Sequence, residues 1–179
     1  MIITITGMMG CGKSTVGEQV ADMLGCPFID LDREIVRAAG KGIPEIFADA
    51  GQEEFRKIEL NALRKVLKGG SGGDATMVQK VVALGGGTVT VPAAAALVRE
   101  NSVCVYLKAS VDALCDNLAG QSDGRPLLEG CGDRESLHER LESLLEAREK
   151  AYEGSSHVAI DTDGLSPGDI ASEIIIDCL

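Results

Sequence analysis

Apolar and polar positions along this chain follow two different periods, and segments of the two kinds alternate. Five short apolar runs, most of them rich in β-branched residues, have the length and pattern of strands: Ile2–Thr6, Pro27–Asp30, Lys80–Leu84, Ser102–Leu107 and His157–Ile160. Longer segments with helical spacing lie between and after them: Lys13–Leu24, Leu31–Ala39, Ile43–Ala50, Gln52–Lys68, Pro92–Arg99, Val111–Ala119, Arg134–Tyr152 and Pro167–Asp177. Strands that alternate with helices predict an α/β fold, in which a parallel sheet carries helices on both faces.

The composition predicts one globular domain over residues 1–179. A chain of 179 residues is long enough for one full core. The hydrophobic content of 45% is ordinary, but aromatic residues make up only 3% and Trp is absent, so we expect an aliphatic core. The net charge of −11 argues against nucleic acid and against an anionic membrane as partners, since both would be repelled.

Neither the cysteines nor the first residues of the chain suggest an exported protein. The six cysteines show no C-x-x-C spacing, so we expect reduced core thiols and no zinc site. No apolar run reaches 18 residues, and Met1 leads straight into the first predicted strand without a signal-peptide pattern. We therefore expect a cytoplasmic protein with no membrane partner.

One glycine-rich segment carries a specific chemical signature. Gly7–Ser14 matches G-x-x-x-x-G-K-[ST] between a predicted strand and a predicted helix, the context that a P-loop requires. Glycines allow successive backbone N–H groups to turn towards a phosphate, and the helix N-terminus adds a partial positive charge there. Lys13 would reach the β- and γ-phosphates, and the Ser14 hydroxyl would ligate Mg²⁺. The sequence therefore predicts a nucleoside triphosphate site.

Two carboxylates follow the second predicted strand. In an extended segment Asp30 and Asp32 would point to the same side, so both are expected to face the phosphates from the carboxyl edge of the sheet. One would serve the metal ion, and the other would face an acceptor hydroxyl. The alternative is that Asp32 caps the helix that follows. The nearby P-loop favours the functional interpretation.

Two further glycine-containing segments suggest contact with a substrate. Gly85–Gly87 follows an apolar run, and its N–H groups would be free to donate to a ligand, although an ordinary tight turn has the same sequence. The segment 120–132 is polar but carries Arg125 and two leucines in its middle. That pattern favours a lid that closes over substrate, rather than a plain surface loop.

Three arginines suggest the charge of the second substrate. Arg56 precedes Glu59 by one helical turn, so the carboxylate can orient the guanidinium. Arg148 lies near a predicted helix end, and Arg125 lies in the predicted lid. Each alone is typical of a solvated surface charge. Together they indicate an anionic acceptor, because a planar guanidinium binds a carboxylate through two hydrogen bonds.

With these motifs in this order, the chain resembles the shikimate kinase family over essentially its full length. The resemblance implies a P-loop nucleoside-monophosphate-kinase-like fold, with a five-stranded parallel sheet of order 2-3-1-4-5, a substrate-binding helical region at about 31–61 and a lid at about 119–132. It also implies a monomer that transfers the γ-phosphate of ATP to the 3-hydroxyl of shikimate, giving shikimate 3-phosphate and ADP in aromatic amino acid biosynthesis. The matching segments are Gly7–Ser14, Asp30–Asp32, Ile43–Phe47, Gly51–Glu59, Leu84–Gly87, Arg125–Leu128 and Arg148 with Tyr152.

The resemblance further implies a role for individual residues. Lys13, Asp32 and Arg125 would be catalytic, and Ser14 and Asp30 would serve Mg²⁺. The implied ATP contacts are Gly10, Cys11, Gly12, Lys13, Ser14, Thr15, Arg125 and Pro167. The implied shikimate contacts are Asp32, Arg56, Gly85, Gly86, Gly87 and Arg148, with Ile43, Phe47 and Phe55 along the apolar side of the ring.

The chain departs from the family pattern at one position, and two other functions stay open. The family usually places an arginine against adenine seven residues before the lid arginine, whereas this chain has Leu118, which leaves only apolar contact. A gluconate-type kinase of the same fold would not require Gly85–Gly87 or an apolar wall. A non-catalytic nucleotide-binding module would not require the three arginines.

Overall fold

The computed structural model describes residues 1–68, 77–119, 126–128 and 130–179. Its sheet has five parallel strands in the order β2-β3-β1-β4-β5, so the predicted fold and strand order are confirmed. The strands are β1 (Ile2–Gly7), β2 (Phe28–Asp30), β3 (Lys80–Ala83), β4 (Val103–Lys108) and β5 (Val158–Asp161). The helices are α1 (Lys13–Leu24), α2 (Leu31–Ala39), α3 (Ile43–Leu67), α4 (Pro92–Asn101), α5 (Val111–Leu118), α6 (Arg134–Ser155) and α7 (Pro167–Cys178).

The central strand anchors the core. All six residues of β1 are buried, and β1 pairs with β3 on one side and with β4 on the other. Helices α1 and α7 pack against each other, whereas α4 contacts both α3 and α6. The core around the sheet is aliphatic apart from a few side chains such as Tyr106 and Tyr152, as the composition predicts.

Element bounds differ from the predicted ones mainly where the helices end. Helix α6 continues to Ser155, three residues beyond its predicted end. The prediction stops early because the residues after Tyr152 do not extend the apolar pattern from which the helix was predicted. The two helices predicted on either side of Gly51 run into one another as α3, across a kink at that residue. Gly51 has φ 79° and ψ 171°, a conformation that few residues other than glycine adopt.

The strand register brings several loops to one edge of the sheet. Ile5 of β1 and Asp30 of β2 both lie opposite Ala83 of β3, and Gly7 lies opposite Leu107 of β4. Because all the strands are parallel, their carboxyl ends share this edge, where such folds bind ligands.

Some expectations stay predictions. The lid was predicted at about 119–132, but residues 120–125 and 129 lie outside the described residues. The single domain over 1–179 and the helical region at about 31–61 also stay predictions. Among the described residues, no helix is both long enough and apolar enough to cross a membrane.

Two helical glycines have opposite surroundings, and the same substitution is expected to act on them with opposite sign. A Cβ atom on Gly17 of α1 would lie 2.5 Å from the Phe28 ring, whereas a Cβ atom on Gly154 of α6 would meet nothing within 4 Å. We expect Gly17→Ala to lower the free energy of unfolding by about 1–2 kcal/mol through overpacking. Gly154→Ala should raise it by about 0.5 kcal/mol. Urea denaturation measures both, and equal shifts of the two variants would contradict the packing at Gly17.

Candidate active site

The loop between β1 and α1 has the backbone conformation of a phosphate-binding turn. Gly7, Gly10 and Gly12 have φ of 143°, 83° and 89°, values that side chains strongly disfavour. A Cβ atom on Gly10 would also lie 2.7 Å from the Leu118 side chain. The glycines at these positions are therefore required by conformation. At Gly7 and Gly10 they are required by space as well, because a Cβ atom on Gly7 would lie 2.7 Å from Leu107 O.

The first turn of α1 opens into a cavity of about 490 Å³. Gly12 is the N-cap of α1 and provides no side-chain hydrogen bond to it, so the helix N-terminus favours an anion. Lys13 brings its ammonium group to the same loop, where Nζ donates to Gly7 O at 3.0 Å and to Met8 O at 2.8 Å. The residues around the cavity are Met9, Gly10, Gly12, Lys13, Ser14, Thr15, Asp30, Asp32, Leu84, Gly86, Asn117 and Pro167.

Asp30 and Asp32 both line this cavity, but not for the predicted reason. Strand β2 ends at Asp30, and Asp32 lies in the first turn of α2, so the two side chains are not related by the pleat of a strand. Asp30, not Asp32, caps the helix, through Oδ1, which accepts from Arg33 N at 3.1 Å. Its other oxygen, Oδ2, accepts from Ser14 Oγ at 2.7 Å. A hydroxyl and a carboxylate in contact are oxygen ligands of the type that Mg²⁺ prefers.

A second cavity, of about 340 Å³, adjoins the first. Met9, Asp32 and Gly86 line both cavities, so Asp32 lies at the border between the P-loop and a separate binding space. The remaining residues of the second cavity are Ile43, Phe47, Gln52, Phe55, Arg56, Glu59, Gly85, Gly87, Leu127 and Arg148.

Two arginines from distant parts of the chain reach this second cavity, as the sequence predicts. Arg56 of α3 donates from Nη1 to Glu59 Oε2 at 2.5 Å, and the Glu59 side chain is only 3% exposed. The same guanidinium lies over Gly87, where a Cβ atom would approach Nη2 to 2.3 Å. Arg148 of α6 donates from Nη1 to Gly86 O at 3.3 Å. The two guanidiniums thus lie around the Gly85–Gly87 loop, as required for binding an anion.

One side of the second cavity is apolar. The Phe47 and Phe55 rings lie 4.4 Å apart between centroids, and Ile43 completes this wall. The Arg56 guanidinium carbon lies 5.5 Å from the centre of the Phe55 ring, close enough for a cation–π contact. The cavity therefore suits a ligand with one anionic group and an apolar ring face.

Asp32 is electrostatically unusual. Burial, followed by the negative charges of Asp30 and Glu59, raises the pKa of Asp32 from 3.8 to about 6, against the opposing effect of Lys13 and Arg56. A carboxylate with a pKa near the working pH is suited to accept a proton. Perturbed carboxyls in a cleft are typical of functional sites.

Several predicted residues have other surroundings than expected. Leu118 is buried beneath Gly10 and is not among the described residues that line the P-loop cavity, and its contact with adenine stays a prediction. The Cys11 side chain is buried, and its backbone N–H donates to Met8 O at 3.3 Å. Arg125 lies outside the described residues. Thr15 and Pro167 do line the P-loop cavity.

Some residues of the site gave little or no signal in the sequence. Asn117 lines the P-loop cavity and donates from Nδ2 to Gly10 O at 2.9 Å. Gln52 lines the second cavity, and Thr88 donates to Glu59 from outside it. Only Thr88 could have been suspected, because it directly follows the glycine run.

A phosphate-binding loop after β1, in a parallel sheet of order 2-3-1-4-5, with a second cavity beside it, is typical of a P-loop kinase fold. The shikimate kinase family model matches residues 9–179. The chain is similar to a shikimate kinase of Geobacter sulfurreducens, at 41% identity over 96% of this chain and 87% of that protein. It is also similar to one of Salinibacter ruber, at 40% identity over 91% of this chain and 78% of that protein. This chain belongs to the shikimate kinase family.

A solved structure agrees with this assignment. The fold is similar to that of an Acinetobacter baumannii shikimate kinase in complex with shikimate, with a TM-score of 0.86 and 30% identity. The match covers 99% of this chain and 92% of that one.

The raised pKa of Asp32 predicts a gain in stability on its neutralisation. A carboxyl whose pKa is higher in the folded than in the unfolded protein destabilises the fold as pH rises from 3.8 to about 6, and the whole penalty is present above that window. We expect Asp32→Asn to raise the free energy of unfolding at pH 8 by about 1–3 kcal/mol, while turnover falls. The gain should disappear below pH 3.8.

The matched control is Asp22→Asn, at an exposed position of α1. It should change the free energy of unfolding by less than about 0.5 kcal/mol at either pH. Urea denaturation at pH 8 and pH 3.5 measures both variants. An Asp32→Asn protein with the same pH dependence of stability as the wild type would contradict the raised pKa.

Proposed function

We propose that this chain transfers the γ-phosphate of ATP to the 3-hydroxyl of shikimate and releases shikimate 3-phosphate and ADP. The observation that carries the proposal is the position of Asp32. It lies where the P-loop cavity meets a cavity with two arginines and an apolar wall. A carboxylate at this border can serve a hydroxyl that faces a phosphate. Membership of the shikimate kinase family supports the same conclusion.

In the proposed nucleotide site, Lys13 and the N–H groups of the loop bind the phosphates. Gly10, Cys11, Gly12 and Thr15 belong to the same loop and helix start, and Pro167 also lines the cavity. Ser14 and Asp30 suit Mg²⁺, because their oxygens are hard ligands that already lie in contact. When bound, the ion would neutralise charge on the phosphates. Arg125 is proposed to close over the reacting groups.

In the proposed acceptor site, Arg56 and Arg148 hold the shikimate carboxylate. Gly85–Gly87 would contact the ring substituents, and the Phe47 and Phe55 rings would cover the apolar face. Asp32 would orient the 3-hydroxyl and accept its proton as the bond to phosphorus forms. Phosphoryl transfer requires little more than positioning and charge stabilisation, and the roles proposed for these residues would supply both.

The apolar wall and the paired arginines favour shikimate over the alternatives. Gluconate has a carboxylate but no ring to use the wall, and a non-catalytic module would have no use for an acceptor cavity. We also propose that the protein acts in the cytoplasm as a monomer on two small molecules, without a nucleic acid or membrane partner. Its net charge of −11 supports the last point.

An ADP-release assay across acceptors tests the proposed function. We expect turnover with shikimate and Mg²⁺, and none above background with gluconate or nucleoside monophosphates. Lys13→Met is the control for the P-loop: it should abolish turnover with little change in the free energy of unfolding, because Lys13 is not a core residue. Turnover with gluconate alone would replace the proposal, and absence of turnover with every acceptor would favour a binding module.

The two arginines predict a selective loss of shikimate binding. A hydrogen bond to a charged group contributes about 1.5–3 kcal/mol, so Arg148→Ala and Arg56→Ala should each weaken shikimate binding roughly ten- to a hundredfold. Binding of ATP should hardly respond. Arg64→Ala is the matched control, because Arg64 is exposed and lies two turns from Arg56 on α3.

Titration calorimetry with shikimate and with ATP separates these outcomes for all three variants. If Arg64→Ala weakens shikimate binding as much as Arg56→Ala does, the effect is one of general charge. The arginines would then have no specific role in the acceptor site.

A further inference from the structure

The carboxylate of Glu59 is buried and divided between two donors. Its Oε2 accepts from Arg56 Nη1 at 2.5 Å, and its Oε1 accepts from Thr88 Oγ1 at 2.6 Å. Thr88 is fully buried and lies just after the Gly85–Gly87 loop. Since an ionised carboxylate can only accept hydrogen bonds, the Thr88 hydroxyl must be the donor.

We propose that Thr88 is a positioning residue for the acceptor site: its hydroxyl fixes the Glu59 carboxylate, and Glu59 in turn holds the Arg56 guanidinium towards the second cavity. This inference rests on the proposed function, in which Arg56 binds the shikimate carboxylate. Thr88 itself does not line either cavity.

The backbone of Thr88 is hydrogen-bonded to the Gly85–Gly87 loop. Thr88 N donates to Gly85 O at 3.1 Å, so the same residue closes the turn of the glycine loop and donates its hydroxyl to α3. Gly85 lies among the oxygens of this network: a Cβ atom there would be 3.0 Å from both Thr88 Oγ1 and Glu59 Oε1, and 2.8 Å from Asp32 Oδ1. A side chain at position 85 would therefore crowd the Thr88–Glu59 hydrogen bond, and glycine leaves room for it.

Loss of the hydroxyl would leave one oxygen of a buried carboxylate without this donor. Such an oxygen bears a desolvation penalty, and the Glu59 side chain would relieve it by turning away from residue 88. Arg56 then loses its fixed orientation, although its charge remains. The expected consequence is weaker binding of the acceptor without loss of nucleotide binding, because Lys13 and Ser14 are not part of this network.

Thr88→Val tests the inference, because valine keeps the branched shape and removes only the hydroxyl. We expect the KM for shikimate to rise about five- to tenfold, the scale of one lost hydrogen bond, with the KM for ATP unchanged within about twofold. Thr88→Ser keeps the hydroxyl and should restore the shikimate KM. Thr88→Ala removes the hydroxyl with less side chain, and it should show the same split in KM if Thr88→Val fails to fold.

The matched control for a buried Thr→Val change is Thr6→Val on β1. Thr6 is fully buried, and its hydroxyl has no hydrogen-bond partner among the described residues. This variant should keep both KM values and lose no stability, because no bond is removed. A shikimate KM raised equally by Thr6→Val would show a general effect of core substitution and would overturn the assignment.

A double-mutant cycle with Glu59→Leu tests whether Thr88 acts through Glu59, because leucine offers no acceptor to the Thr88 hydroxyl. We expect Thr88→Val to change the shikimate KM far less in the Glu59→Leu background than in the wild type, since coupled residues are not additive. Additive effects would overturn the assignment, as would a Thr88→Val protein with the wild-type KM. In both cases the proposed function would stand. A wild-type protein that does not turn over shikimate would instead overturn the proposed function and this inference with it.

Discussion

The parallel register of the three strands β2, β3 and β1 is the constraint on which the site depends. Asp30 and Ile5 lie opposite the same residue, Ala83, so the P-loop, the start of α2 and the glycine loop leave the sheet side by side. Both faces of β1 are covered, because all six of its residues are buried. A slip by one residue would exchange Ile3 and Ile5 with the neighbouring threonines between two packed faces, which makes this register costly to change. The relative positions of the three loops are therefore fixed by packing within the sheet.

Much of the fold could be predicted because its signals are local. The P-loop is a continuous motif, and α1 and α2 have the predicted bounds, since each ends at a glycine. The convergence of Arg56 and Arg148 was also predicted, but only from the order of motifs along the chain. Nothing local relates two arginines that belong to α3 and α6.

The features that could not be predicted depend on contacts distant in sequence or on backbone details. The predicted bounds already place Asp32 at the start of a helix, but the role of Asp30 as the cap of α2 depends on the backbone geometry at the end of β2. The buried position of Leu118 follows from the close approach of α5 to Gly10, which no periodicity reveals. Thr88 pairs with a carboxylate 29 positions away, and a lone threonine after a glycine run has no distinctive pattern.

Tyr152 shows how a spacing in the sequence becomes a structural tie. It follows Arg148 by four residues, so both side chains lie on the same face of α6. Both donate to one carbonyl, Gly86 O: the tyrosine hydroxyl at 2.5 Å and the guanidinium at 3.3 Å. The same hydroxyl lies 3.5 Å from Met8 Sδ, in the P-loop. Because Gly86 lines both cavities, this one buried tyrosine connects α6, the Gly85–Gly87 loop and the P-loop. The two substrates are thus expected to meet in a geometry set by the protein interior, with the surface contributing little.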